Sequence, residues 1–200
     1  MTTQQINHVS VLIIGAGPAG LSAAISLKHQ RPDLEVVVLD KASGAGHHNL
    51  SGAVVEPAAL ARLLDPVDPN WKTSEQAKKV LLDTVSRDDV MFFLGSRLSF
   101  KILPALTIAK ALGLGIGQMG HKGDYICSIS QLTSWLHEIA KGLGAEILHG
   151  FAAGEILWDQ DAHIARGVKL VDQGIDQEGH KQPKYLPGEI FTADALLIAE

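Results

Sequence analysis

The stretch Val9-Ser10-Val11-Leu12-Ile13-Ile14-Gly15-Ala16-Gly17-Pro18-Ala19-Gly20 decides the fold. Val9 to Ile14 is an apolar, largely β-branched run, the signature of a strand buried on both faces of a parallel sheet. Three glycines follow within six residues. Then Pro18 to Lys28 places apolar Leu21, Ala24, Ile25 and Leu27 at helical spacing, and Pro32 ends the segment. Glu35 to Asp40 reads as a second strand. Strand, glycine turn, helix and strand within about thirty residues form a βαβ unit.

Gly15-Ala16-Gly17-Pro18-Ala19-Gly20 fits G-x-G-x-x-G, a weak string alone and a specific one between a buried strand and a helix. Gly15 permits the tight turn, Gly17 lets the backbone approach a pyrophosphate, and Gly20 lets the helix pack closely on the sheet. The helix N-terminus offers N–H groups and a positive partial charge to the phosphates. Asp40 ends the second strand, twenty positions beyond Gly20, where a carboxylate accepts from adenosine ribose hydroxyls and disfavours the 2′-phosphate of NADP. The bland alternative is a glycine turn with no ligand. FAD and NAD share the ADP half, so the unit itself does not separate them. The rest of the chain favours FAD, because it leaves the sheet for a hairpin rather than proceeding through further βα repeats.

Outward from this unit, Lys41 to Gly52 is a loop of small and polar residues, Glu56 to Leu64 a short helix, and Asp65 to Ser74 a connector. Asp89 to Leu94 and Arg97 to Ile102 flank Gly95-Ser96 as a hairpin, with Leu98, Phe100 and Ile102 alternating onto one face. Leu103 to Met119 is apolar and glycine-rich. Tyr125 to Cys127 is a strand, and Ile129 to Leu143 an amphipathic helix through Leu132, Trp135, Leu136, Ile139 and Leu143, stopped by Gly144. Ala145 to Leu148 is a strand, Glu155 to Val171 an antiparallel pair, Asp172 to Pro187 a polar loop, and Ala195 to Ala199 a last buried strand. The expected class is α/β: a Rossmann-like, three-layer FAD/NAD(P)-binding fold with an inserted antiparallel β/α substrate region, incomplete at the C-terminus. Its expected domains are 1–80 (the βαβ unit and contact loop), 81–122 (the inserted hairpin and apolar segment) and 123–200 (the return to the dinucleotide domain with a β-meander).

Bulk composition narrows the partners. The net charge is −5 and no Lys/Arg block occurs, which argues against nucleic acid. The single cysteine, Cys127, rules out an internal disulfide framework and a cysteine-ligated cluster within the chain. Met1 to Val9 lacks the features of a signal or transit peptide, and no long uncharged apolar run suggests a spanning helix. These features lead us to expect a bacterial, cytosolic-facing protein.

The segment Val11 to Ile25 resembles the opening of the glutathione-reductase-like flavoproteins. Gly46-His47-His48-Asn49-Leu50-Ser51-Gly52-Ala53 is similar to the second FAD-contact loop of electron-transfer flavoprotein–ubiquinone oxidoreductases, with Leu50-Ser51-Gly52-Ala53 its most specific element. Gly123 to Ile126, Leu132 to Leu136, Gly150 to Leu157 and Gly174 to Gly179 continue the likeness. The resemblance implies an enzyme that takes electrons from reduced electron-transfer flavoprotein through FAD and passes them, via a 4Fe-4S cluster, to ubiquinone at the membrane surface. It makes the inserted region a quinone region. It also implies FAD-binding residues Gly15, Ala16, Gly17, Pro18, Ala19, Gly20, Asp40, Lys41, Leu50, Ser51, Gly52 and Ala53, and no catalytic acid–base pair. The family's cluster cysteines, quinone-binding glycines and second flavin-binding segment lie further along than residue 200, so the expectation is an N-terminal fragment. Ser128 stands where many relatives carry Arg. The implied location is peripheral, on the cytoplasmic side of a bacterial inner membrane, or otherwise cytoplasmic. Two alternatives compete: a related FAD-dependent reductase or monooxygenase using NAD(P)H, and a non-catalytic FAD-binding fragment.

Several residues carry two readings. Leu50 to Pro66 corresponds to a family region that dips into the membrane, and reads equally as a helix buried on the core. Leu103 to Met119 is a second membrane candidate, more simply a buried substrate-region segment. His47 and His48 are expected as loop histidines near a flavin rather than metal ligands. Cys127 is expected in the core, and His137 and Glu138 on the solvated face of their helix.

Overall fold

The computed structural model describes residues 6–50, 52–94, 98–102, 108, 112, 113, 120–159, 163–176 and 178–200. In chain order the elements are β1 (Ile6–Ile14), α1 (Pro18–Gln30), β2 (Val36–Asp40), β3 (Ala53–Val55), α2 (Pro57–Leu64), a 3₁₀ turn (Trp71–Thr73) and α3 (Glu75–Val80). There follow β4 (Leu81–Thr84), β5 (Met91–Leu94), β6 (Leu98–Lys101), β7 (Tyr125–Cys127), α4 (Ile129–Gly142) and β8 (Glu146–His149). Then come β9 (Ala153–Asp159), β10 (Ile164–Leu170), β11 (Gln173–Ile175), β12 (Lys181–Leu186) and β13 (Ile190–Ile198). Among the described residues no helix is long and apolar enough to cross a membrane.

The chain divides into two units, 1–51 with 129–200, and 52–128. The first is built on a six-stranded sheet in the order β8-β2-β1-β13-β10-β9. β8, β2, β1 and β13 are parallel, and β10 and β9 continue antiparallel. Val36, Val37, Val38 and Leu39 are all buried, as a strand covered on both faces requires. Helix α1 packs on β1, β2 and α4. Opposite the helices, Val168 and Leu170 of β10 share a core with Leu12, Ile14, Val37 and Leu39. Side-chain alternation along β1 and β2 therefore divides the core between the two faces of the sheet, with β10 contributing from within the same sheet. At Gly167 a Cβ would run into the Phe191 carbonyl, so the glycine lets β10 lie tightly on β13.

Some boundaries and assignments differ from the sequence reading. Asp172 to Pro187 is a hairpin, β11 paired with β12, rather than a polar loop. Its strands bury almost nothing, so they carry no period-two apolar signal, and Gly174 sits at φ +71 where a side chain would meet Lys184 O. The last strand begins at Ile190, and its end is open: Leu197 and Ile198 are exposed. His137 is not on a solvated face; its side chain is 13% exposed and its ring lies 5.2 Å from that of His149.

The second unit holds the antiparallel sheet β3-β7-β4 and the hairpin β5–β6. The sequence boundaries at 80/81 and 122/123 therefore differ from the contact boundaries, because Tyr125–Cys127 pairs with both β3 and β4 and draws them into one sheet. Leu60 and Leu64 of α2, Trp71, Ala77 and Val80 are buried, and Trp71 Nε1 donates to Asp65 Oδ1 at 2.7 Å. Cys127 is buried, as expected. In the hairpin, Phe92 and Phe100 pair at 5.6 Å, yet all eight strand residues are exposed, so the alternation reports no buried face. The expected Gly95-Ser96 turn and Arg97 lie outside the described residues. Among the described residues the register runs from Met91↔Lys101 to Leu94↔Leu98. Leu103 to Met119 lies almost wholly outside the described residues.

Lys28 is buried at the end of α1, where its Nζ donates to the carbonyls of Pro32 (2.7 Å) and Leu34 (3.0 Å). Lys28→Met strands both acceptors and should lower stability by about 1–3 kcal/mol. Thermal denaturation of the two proteins checks this, and an unchanged midpoint would contradict it.

Candidate dinucleotide site

β1 is the point where the sheet changes direction: β2 lies on one side of it and β13, also parallel, on the other. Open α/β sheets bind ligands in the crevice outside the carboxyl ends of the strands at such a switch point. There Gly15 adopts φ +101, its N–H donates to Leu39 O at 2.8 Å, and Ala199 N–H donates to Ile14 O at 2.8 Å. A side chain at Gly15 would press on Ala199 O at 2.8 Å.

The three glycines differ in what their missing side chains permit. A Cβ on Gly20 would run into Gly15 O, with Ile13 close behind, so this glycine lets α1 meet the strand end. A Cβ on Gly17 meets nothing within 4 Å. The space over Gly17 is open, which is where a diphosphate needs the backbone bare. Gly17 is the N-cap of α1, Pro18 opens the helix, and no side chain caps it. A helix leaves its first-turn N–H groups without intrahelical partners, so an anion finds donors and a favourable dipole at this end.

Asp40 points at the turn. Its Oδ2 accepts from Ala16 N–H at 2.6 Å and its Oδ1 from Ala42 N–H at 2.7 Å. A carboxylate has about four lone-pair positions, so each oxygen keeps one for a hydroxyl. Next to it Lys41 pairs with Glu200 at 2.8 Å. Proximity to that carboxylate raises the Lys41 ammonium above its ordinary range. A cavity of about 310 Å³ opens beside them, between Ile14, Lys41, Ala152, Ala153, Gly154 and Ile198.

Of the expected cofactor residues, Gly15, Ala16, Gly17, Pro18, Ala19, Gly20, Asp40 and Lys41 thus gather at one end of the first unit. Leu50 also belongs to this unit and is 88% exposed. Gly52 (φ +92) and Ala53, the start of β3, belong to the second unit. Ser51 lies outside the described residues. His47 and His48 are exposed, and His47 Nδ1 lies 3.1 Å from Ser43 Oγ. Among the described residues the only grouping with metal-like spacing is Asp176, Glu178 and His180, on the β11–β12 turn.

Sequence reasoning missed the way the 41–50 loop is held. Ser130 Oγ donates to Gly46 O at 2.9 Å and Ser134 Oγ to Ala45 O at 3.2 Å, from the first turns of α4. Gly46 is buried at φ +74 and has no room for a side chain against Ser130. The i, i+4 serines preceded the apolar stripe in plain view, but nothing local in the sequence names a partner 84 positions away.

Residues 13–63 match the NAD(P)-binding Rossmann-like domain family. The chain is 40% identical to electron transfer flavoprotein-ubiquinone oxidoreductase of Pseudomonas aeruginosa, over 95% of this chain and 32% of that protein. It is 37% identical to the probable mitochondrial enzyme of that name from Schizosaccharomyces pombe, over 98% of this chain and 29% of the relative. The chain therefore spans about three-tenths of the length of these curated relatives. Among solved structures it shares the fold of the myxobacterial chondrochloren halogenase CndH, a variant of the FAD-dependent halogenases. That match has a TM-score of 0.57 and 14% identity, covering 97% of this chain and 37% of that one.

The middle and last glycines of the turn test the geometry without any ligand. Gly20→Ala should cost about 1–3 kcal/mol by overpacking, whereas Gly17→Ala should stay within about 0.5 kcal/mol of the parent. Denaturant unfolding of both variants reads the difference, and equal midpoints would refute the assignment of roles. Over the three-tenths of their length that it spans, the chain is similar to the electron transfer flavoprotein–ubiquinone oxidoreductases.

Proposed function

We propose that this chain binds FAD and forms the flavin-holding part of an oxidoreductase that accepts electrons from electron-transfer flavoprotein and delivers them to ubiquinone. One observation carries the dinucleotide reading: the bare, open backbone at Gly17 lies between two glycines whose side chains would strike backbone, with the Asp40 carboxylate aimed at the same turn. The choice of FAD over NAD rests on the likeness to the electron-transfer flavoprotein relatives. The diphosphate would take the backbone N–H groups of Gly17, Ala19 and Gly20 at the start of α1, and the adenosine ribose the free lone pairs of Asp40. Lys41 and the neighbouring cavity would border the adenosine. Leu50, Ser51, Gly52 and Ala53 are proposed as the contact loop for the distal half of the cofactor, on their resemblance to that loop in the family. FAD supplies the redox chemistry when bound, and the protein supplies position and electrostatics.

Electron-transfer flavoprotein and ubiquinone are proposed as partners because they are named in the relatives that match nearly the whole chain. A 4Fe-4S cluster takes four thiolates. Cys127 is the one cysteine and is buried, so a cluster would draw its ligands from polypeptide other than these residues. A peripheral position at a membrane surface is supported by exposed apolar side chains, Leu50 and Val54 near α2 and Phe92, Phe93 and Leu94 of the hairpin. Within α2 itself, the burial of Leu60 and Leu64 favours the core-helix reading.

Titration of the purified chain with FAD, followed by the flavin absorbance spectrum and fluorescence, tests the proposal. The expected result is saturable binding. Gly17→Ala, which keeps the fold, should weaken it at least about tenfold, the equivalent of about 1.4 kcal/mol. Equal affinity in that variant, or no flavin binding by the parent, would overturn the reading.

A further inference from the structure

His149 ends β8 directly beside Asp40, its register partner across the parallel β2–β8 ladder. Both of its ring nitrogens are shielded from solvent and neither makes a hydrogen bond of good geometry among the described residues, although the backbone of Ala42 also faces the ring. Its ring stacks on His137 at 5.2 Å with a tilt of 34°. Three titratable groups face it: His137 from α4, Asp40 from β2 and His47 from the 41–50 loop. His137 Nδ1 is itself 3.1 Å from Glu138 Oε1, and His47 Nδ1 is 3.1 Å from Ser43 Oγ.

A neutral imidazole carries one donor and one acceptor, and shielding both unpaired costs free energy that a phenyl ring of similar shape would not. Packing alone does not explain a histidine here. Burial, reinforced by His137 and His47, holds the ring's proton affinity below the ordinary histidine range, with Asp40 acting in the opposite direction. When the ring takes a proton, both nitrogens become donors. Among the described residues the one carboxylate facing them is Asp40, whose oxygens already hold the Ala16 and Ala42 amides.

We propose that His149, backed by His137, is a positioning residue for Asp40: neutral, it leaves the carboxylate to the glycine-turn amides and an adenosine ribose, and protonated, it takes the carboxylate for itself. The consequence for binding rests on the dinucleotide reading above; the contest for Asp40 does not. Affinity for an adenine dinucleotide falls on acidification through loss of the ribose acceptor. The shift has the linkage sign of a group whose proton affinity is depressed in the native state. The working arrangement is present at neutral pH and is lost as pH falls through the ring's own midpoint.

The test follows the Ala16 and Ala42 amide resonances by NMR, and FAD affinity by fluorescence, from mildly alkaline to mildly acidic pH in the parent, His149→Phe and His137→Phe. In the parent both amides should shift with one midpoint below the usual histidine value of about 6.5. FAD affinity should fall by up to about tenfold per pH unit beneath that midpoint, as one linked proton dictates. In His149→Phe the amides should not titrate in this range and the affinity should be flat with pH. His137→Phe, which removes a repelling neighbour, should move the midpoint upward. Parent-like titration of the amides in His149→Phe would overturn the proposal. Amides that titrate through His149 in a chain that binds no FAD at any pH would uphold it and remove the dinucleotide reading. FAD bound with pH-independent affinity and static amides would do the reverse.

Discussion

The close approach of α1 to the end of β1 is the constraint on which the rest of the site depends. It exists because Gly20 has no side chain to strike Gly15 O, and because Gly15 turns back at φ +101. Once the helix is this near, its uncapped N-terminus lies at the switch point of the sheet, and the N–H of Ala16 is delivered to Asp40 at 2.6 Å. The carboxylate in turn ties the glycine turn to the second strand, and through Ala42 to the start of the next loop. Helix, turn, strand and loop are thereby fixed by contacts that involve almost no side chains. Such a site can stay open to a ligand without loss of order.

This layout also explains how much was legible in the sequence. Buried parallel strands declare themselves by continuous apolar runs, so β1, β2 and the glycine turn between them were readable residue by residue. The stripe Leu132, Trp135 and Leu136 likewise announced α4, because burial on one side imposes helical spacing. The β11–β12 hairpin was not readable, since strands that bury neither face leave no pattern. The β5–β6 alternation misled for the complementary reason: alternation records a preference for two faces, not the presence of a core beneath one of them. The division at residues 51 and 128 was hidden because β7 joins β3 and β4 through backbone hydrogen bonds between segments some 40 to 70 positions apart, which no local window contains.

In the candidate site the same distinction holds. Gly15, Gly17, Gly20 and Asp40 could be assigned roles because each role follows from a backbone property or a charge at a fixed offset. Ser130, Ser134 and His149 could not, because their importance comes from long-range neighbours. His137 was misplaced on the solvated face because a histidine on a helix is polar by composition. Its position is decided by the β8 ring it meets, which lies across the fold from it in a different element.

The charge arrangement adds a final constraint on what the crevice can hold. A carboxylate next to a diphosphate site is at first sight unfavourable, yet Asp40 is held by two backbone N–H groups that share its charge, and the α1 terminus offers its donors to the anion from the other side of the turn. The pairing of Lys41 with Glu200 leaves little net positive charge beside the ribose end. A further anion there, such as a 2′-phosphate, would meet the Asp40 carboxylate with no free cation from this pair to offset it. On the proposed reading, this geometry favours an unmodified ribose over that of NADP by repulsion, while attraction at the helix terminus serves the diphosphate. Selection of this kind needs no side chain that reaches the adenine. The apolar walls of the neighbouring cavity, Ile14, Ala152, Ala153 and Ile198, suit such a base by shape and burial alone.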